Sequence, residues 1–113
     1  MNKVVFNACY GGFSLSTTAM EWLAENGREE IKAIAEECLR KQPDNKYGYH
    51  AYEFDRHDPD LVRCVEILGS RAAGGRSSKL VVRELKGNRY RIEEYDGSEE
   101  VYEPEDEDYI TIK

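Results

Sequence analysis

The sequence predicts an α+β fold: three helices packed on one face of a four- to five-stranded, mostly antiparallel sheet, in a single domain over residues 1–113. Three observations carry that expectation. Val4-Val5-Phe6 is a β-branched and aromatic run that stops at Gly11-Gly12. Residues 28–41 place Ile31, Ile34, Ala35, Cys38 and Leu39 at the i, i+3, i+4, i+7, i+8 spacing of a core-facing helix. From Lys79 onward, short β-prone runs alternate with the turn signals Lys86-Gly87-Asn88 and Asp96-Gly97.

In chain order, residues 3–9 read as a buried strand. Ser16 is a good N-cap for a helix over about 17–26 with Ala19, Met20 and Leu23 on its inner stripe, and Gly27 suits a left-handed C-cap. In the second helix, Glu29 and Glu30 in the first turn and Arg40 and Lys41 in the last complement the helix dipole, and Pro43 prevents its continuation. Tyr47 to Phe54 alternates as a strand. Asp58-Pro59 starts a third helix, with Asp58 as cap and Pro59 where a missing N–H costs nothing. Its buried stripe is Leu61, Cys64, Val65 and Leu68, and it ends between Gly69 and Gly75. Strands over 79–85 and 89–95 and a hairpin at Asp96-Gly97 then form an antiparallel meander, and Tyr109 to Ile112 makes a short last strand. A two-residue hairpin loop sets Ile92 opposite Val101, but also Glu94 opposite Glu99 and Glu93 opposite Glu100, so either the loop is longer or the acidic tip needs a counterion or a partner.

The net charge of -7 is unevenly spread. Residues 1–92 hold 13 acids and 15 bases, whereas residues 93–113, the acidic hairpin and tail, hold 10 acids and only Lys113. Residues 63–91 carry eight Arg and Lys against Glu66 and Glu84, a segment able to attract an anion. Cys9, Cys38 and Cys64 are odd in number and widely spaced, which reads as reduced thiols in a cytoplasmic protein. No run is long enough for a signal-peptide core or a membrane span, so no membrane partner is expected.

Three blocks, Asn7-Ala8-Cys9-Tyr10-Gly11-Gly12-Phe13-Ser14-Leu15-Ser16, Asp58-Pro59-Asp60-Leu61-Val62 with Val65-Glu66-Ile67-Leu68-Gly69, and Ile92-Glu93-Glu94-Tyr95-Asp96-Gly97, stand in the same order as in a widespread family of small phage and prophage proteins, which the chain resembles. Ala8 replaces that family's Thr, and Thr17 and Thr18 replace acidic residues. The resemblance implies an accessory phage protein of the host cytoplasm. Such proteins often counter host defence, by binding a defence protein or by sequestering a nucleotide-derived immune signal. It carries over no catalytic residue.

The candidate ligand site joins two loops. Tyr10-Gly11-Gly12-Phe13-Ser14 brings backbone N–H groups together ahead of a helix N-terminus, as anion-binding turns do, with two rings able to stack on a base. It also reads, more simply, as a tight strand-to-helix connection. Gly74 to Lys79 adds Arg76 and Ser77, with Arg71 nearby, and also reads, more simply, as an ordinary loop. If the first strand and the strand over 79–85 are antiparallel neighbours, the two loops share one end of the sheet; if parallel, the two-loop site fails. Cys9 with His50 or His57 gives a weaker enzyme reading, and His50, Asp55, His57 and Asp58 lack the paired spacing of a metal site. The expected function is therefore non-enzymatic binding of a small anionic, nucleotide-like ligand through Tyr10, Gly11, Gly12, Phe13, Ser14, Arg71, Arg76 and Ser77, with no metal or cofactor. The alternative is an acidic protein-interaction module that inhibits a host protein. Direct nucleic-acid binding is not expected, and homo-oligomerisation stays open.

Overall fold

A computed structural model describes residues 2–43, 48–49, 54–76 and 78–104. The helix signals place the elements closely. Strand β1 (Lys3–Asn7) leads through the glycine turn to α1 (Thr17–Asn26), whose first turn is capped by Ser16 accepting a hydrogen bond from the Ala19 N–H at 3.0 Å. Helix α2 (Glu29–Lys41) follows, and then α3 (Pro59–Leu68), where Asp58 accepts from the Asp60 N–H at 2.8 Å. A short helix α4 (Ser70–Ala73) continues past Gly69, beyond the three helices expected. Strands β2 (Leu80–Glu84), β3 (Arg91–Tyr95) and β4 (Ser98–Tyr102) complete the described fold. Most of the expected strand over Tyr47 to Phe54 and all of the last strand lie outside the described residues.

Gly27 corrects one detail. Its φ is −75°, extended rather than left-handed, and a side chain there would press on the Leu23 carbonyl and on Ile31. The glycine serves the close α1–α2 corner, not a positive φ.

The architecture is α+β, but among the described residues the strands form two two-stranded antiparallel sheets instead of one sheet of four or five. Strand β1 pairs with β2 from Lys3↔Glu84 to Asn7↔Leu80, and β3 pairs with β4 from Arg91↔Tyr102 to Tyr95↔Ser98. The reason lies at the free edge of β1. There the Val5 N–H donates to the Arg56 carbonyl at 2.8 Å and the Asn7 N–H to the Glu99 carboxylate at 2.8 Å, so β4 approaches β1 through a side chain and no ladder forms.

Alternation along β1 supplies two apolar clusters. Val5 joins the helical core with Leu15, Met20, Leu23, Leu61, Cys64 and Leu80. Val4, with Phe6 packed beside it, joins Leu85 and Val101 beneath the hairpin. The β1–β2 pair is thus covered by helices on one side and by β3–β4 on the other.

Candidate functional site

The antiparallel β1–β2 register decides whether the two loops meet, because it puts the end of β1 beside the start of β2. They do meet. Ser78 Oγ donates to the Gly12 carbonyl at 2.5 Å, and with its one proton so used it accepts from Ser14 Oγ at 2.7 Å. The Gly75 N–H donates to the Ser14 carbonyl at 3.1 Å, and Leu15 exchanges backbone hydrogen bonds with Tyr49. Ser14 is buried, so its hydroxyl works inside the loop junction.

Asn7, fully buried, ties this junction to the hairpin. Its amide donates to the Cys9 carbonyl at 2.6 Å and the Gly97 carbonyl at 2.8 Å, and its Oδ1 accepts from the Lys79 N–H at 2.9 Å. Asp96 and Gly97 take φ of 52° and 91°, the two positive values of a type I′ turn, which confirms the two-residue loop and its register. A side chain at Gly97 would come within 2.2 Å of the Tyr10 carbonyl and 2.7 Å of the Gly12 nitrogen. The hairpin tip therefore lies directly on the glycine turn.

The same register explains the like-charged pairs. Glu99 turns inward, where Arg56 binds both of its oxygens at 2.7 and 2.8 Å. The Arg56 guanidinium lies 3.6 Å from the centre of the Phe13 ring, so this ring stacks on an arginine of the chain itself. Glu103, 1% exposed, likewise accepts from the Lys86 N–H at 2.8 Å and pairs with Arg83 at 3.3 Å. Two acids of the hairpin segment are structural counter-charges.

Two openings flank the junction. The first, about 240 Å³, lies at the N-terminus of α1 and is lined by Ser16, Thr17, Arg71, Gly74, Gly75, Arg76 and Ser78. Arg71 and Arg76 are both exposed, and no acidic residue occupies the first turn of α1. The second, about 420 Å³, is lined by Tyr10, Glu93, Glu94, Tyr95, Ser98, Glu100 and Tyr102. Tyr10 is 70% exposed there, among carboxylates, and Tyr95 is 79% exposed. Of the residues proposed from sequence, Arg71 and Arg76 come together in the first opening and Tyr10 faces the second. Gly12 and Ser14 form the junction between the loops, Phe13 packs beneath Arg56, and Ser77 lies outside the described residues.

A third pocket had no local signal in the sequence. It gathers Lys3, His57, Arg63 and Tyr90, from three separate stretches, over Val62 and Leu85. As for the thiols, Cys9 Sγ donates to Asn7 Oδ1 at 3.4 Å, and burial pushes the Cys64 thiol up to about 12, which holds it neutral. His50 lies outside the described residues, among which no three His, Cys, Asp or Glu side chains are grouped to hold a metal. No helix among them is long and apolar enough to cross a membrane. Comparisons of the chain with models of protein families, with curated proteins and with solved structures give no match.

Proposed function

We propose that this protein is a non-enzymatic binder of a small anionic, nucleotide-like ligand, held by its phosphate or carboxylate group in the opening between α1 and the Gly74–Ser78 loop. The observation that carries this reading is the convergence of Arg71 and Arg76 on the N-terminus of α1, where the helix dipole and two guanidiniums favour negative charge together. At about 240 Å³ the opening is smaller than the roughly 300–1,000 Å³ of pockets that enclose a whole organic ligand, so it takes the anionic group and leaves the remainder outside. In the phage-accessory setting that the sequence blocks imply, the activity would be sequestration of a nucleotide-derived immune signal in the host cytoplasm, which needs no turnover.

The test is thermal unfolding of the full chain with a panel of mono-, di- and cyclic nucleotides. A ligand at about 100 times its Kd stabilises by about 2.7 kcal/mol, and the Arg71→Ala/Arg76→Ala double variant should show no such stabilisation relative to its own ligand-free melting temperature. Equal stabilisation of the variant and the wild type would remove the opening as the site.

One observation favours a second reading, a protein-interaction module that inhibits a host protein. Tyr10 and Tyr95 stand exposed beside Glu93, Glu94 and Glu100, a cup of aromatic faces and carboxylates suited to a lysine or arginine of a partner. Neutralising Glu93 and Glu100 to Gln should then weaken capture of a basic peptide at low salt; unchanged capture would exclude the cup. The acidic tail over 105–108, the other part of that reading, lies outside the described residues.

A further inference from the structure

The pocket between α3 and the β2–β3 connection lies at the other end of the β1–β2 pair from the two loops, beside Asn2, Lys3 and Leu85. Its volume of about 380 Å³ falls within the roughly 300–1,000 Å³ of small-molecule sites. Val62 and Leu85, both buried residues, give it an apolar floor. His57 and Tyr90 form an aromatic corner, their ring centres 5.7 Å apart and their planes inclined at 73°, against which a flat ligand can stack.

The acids and bases of the lining are already paired. Lys3 and Glu66 meet at 2.7 Å. Arg63 reaches Asp60 at 3.3 Å, with the Asn26 carbonyl at 3.5 Å and the Trp22 ring centre at 5.7 Å, so its guanidinium is engaged on the α1 side. A charged ligand would find no counter-charge here and would give up its hydration without return, so the pocket selects a neutral molecule. The polar groups left open are neutral as well. Among the described residues the Asn88 amide makes no hydrogen bond, and it offers a donor beside an acceptor. Asn2 donates one amide N–H to the Gly87 carbonyl at 2.9 Å and keeps its Oδ1 open. His57 Nδ1 lies 2.7 Å from the Tyr90 hydroxyl, which orients the imidazole and leaves Nε2 for a ligand.

We propose that this pocket binds a neutral nucleobase, free or as a nucleoside, stacked in the His57–Tyr90 corner over Val62 and Leu85 with its hydrogen-bonding edge on the Asn88 amide. An amide side chain pairs through two hydrogen bonds with any ring edge that sets a donor beside an acceptor, as adenine does at N6 and N7 and uracil at N3 and O4. His57 Nε2 and Asn2 Oδ1 serve the remaining polar atoms of the base or sugar. The base arrives as a small molecule and not within a strand, because the chain's net charge of -7 opposes a polyphosphate backbone.

The experiment is two-dimensional NMR of the isotope-labelled full chain, titrated in parallel with adenosine and uridine, each beside the analogue that lacks its donor, purine riboside and 3-methyluridine. Saturable shifts at His57, Asn88 and Tyr90 are expected with adenosine or uridine, and the tighter of the two identifies the ring. Its analogue should bind at least about tenfold more weakly, and Asn88→Ala, an exposed position, should weaken the nucleoside by a similar factor with the rest of the spectrum unchanged. The 5′-monophosphates should bind at these residues no tighter than the nucleosides. Residue-level mapping separates this pocket from the opening at Arg71 and Arg76. Absence of shifts at His57, Asn88 and Tyr90 with both nucleosides, equal binding of the analogue, or tighter binding of a monophosphate at these residues would overturn the proposal.

Discussion

The two halves of the molecule are held together by different forces. Helices α1 to α3 close on Leu15, Met20, Leu23, Leu61 and Leu80, all fully buried, and their cohesion is that of ordinary apolar packing. The β3–β4 hairpin rests on Val4, Leu85 and Val101 and is joined to the rest by Glu99 with Arg56 and by Glu103 with Arg83. Apolar packing loses stability in proportion to the atoms removed. A buried ion pair behaves otherwise, because removing one partner strands the other charge away from water.

The largest effect should therefore come from the hairpin side. Glu99→Ala leaves Arg56 and the Asn7 N–H without their acceptor and should cost about 3–5 kcal/mol in urea unfolding. Replacing both partners, as Arg56→Met with Glu99→Leu, should recover most of that loss; a double variant as unstable as Glu99→Ala would show that the pair is not the attachment. The smaller effect belongs to the helical half. Ile31→Val, one methylene removed where α2 packs against Gly27, should cost about 0.5–1.5 kcal/mol. If Ile31→Val cost as much as Glu99→Ala, the contrast between the halves would fail.

This contrast also separates what could be read from the sequence from what could not. Ser16, Asp58-Pro59 and Asp96-Gly97 act on their immediate neighbours, so a cap, a helix start and a hairpin register were legible, down to the facing of Glu93 and Glu94 with Glu100 and Glu99. The division into two sheets was not legible because the edge of β1 is satisfied by the Arg56 carbonyl and the Glu99 carboxylate, partners 51 and 92 residues away from Val5 and Asn7. Glu99 and Glu103 sit in a run of acids that composition alone assigns to solvent, yet both are buried. Gly27 carries the usual signature of a left-handed cap and is instead required for close packing.

For the candidate site, the adjacency of the two loops rested on one conditional, the antiparallel pairing of β1 with β2, and that pairing is present. Which side chains face the opening depends on long-range contacts. Gly97 sits on the glycine turn, Arg56 covers Phe13, and Tyr10 turns toward the carboxylates of the hairpin. The anion-binding reading thus moves from the turn's backbone to Arg71, Arg76 and the start of α1. The His57–Tyr90 pocket, assembled from residues 3, 57, 63 and 90, had no contiguous motif to announce it.

Native mass spectrometry of the full chain purified from cells tests the central claim, that the opening at Arg71 and Arg76 holds a small anion. The account predicts a protein ion carrying the added mass of a retained anionic metabolite, lost in the Arg71→Ala/Arg76→Ala variant. An added mass equally present on that variant, or a bare chain that acquires no mass from any nucleotide supplied at millimolar concentration, would contradict it.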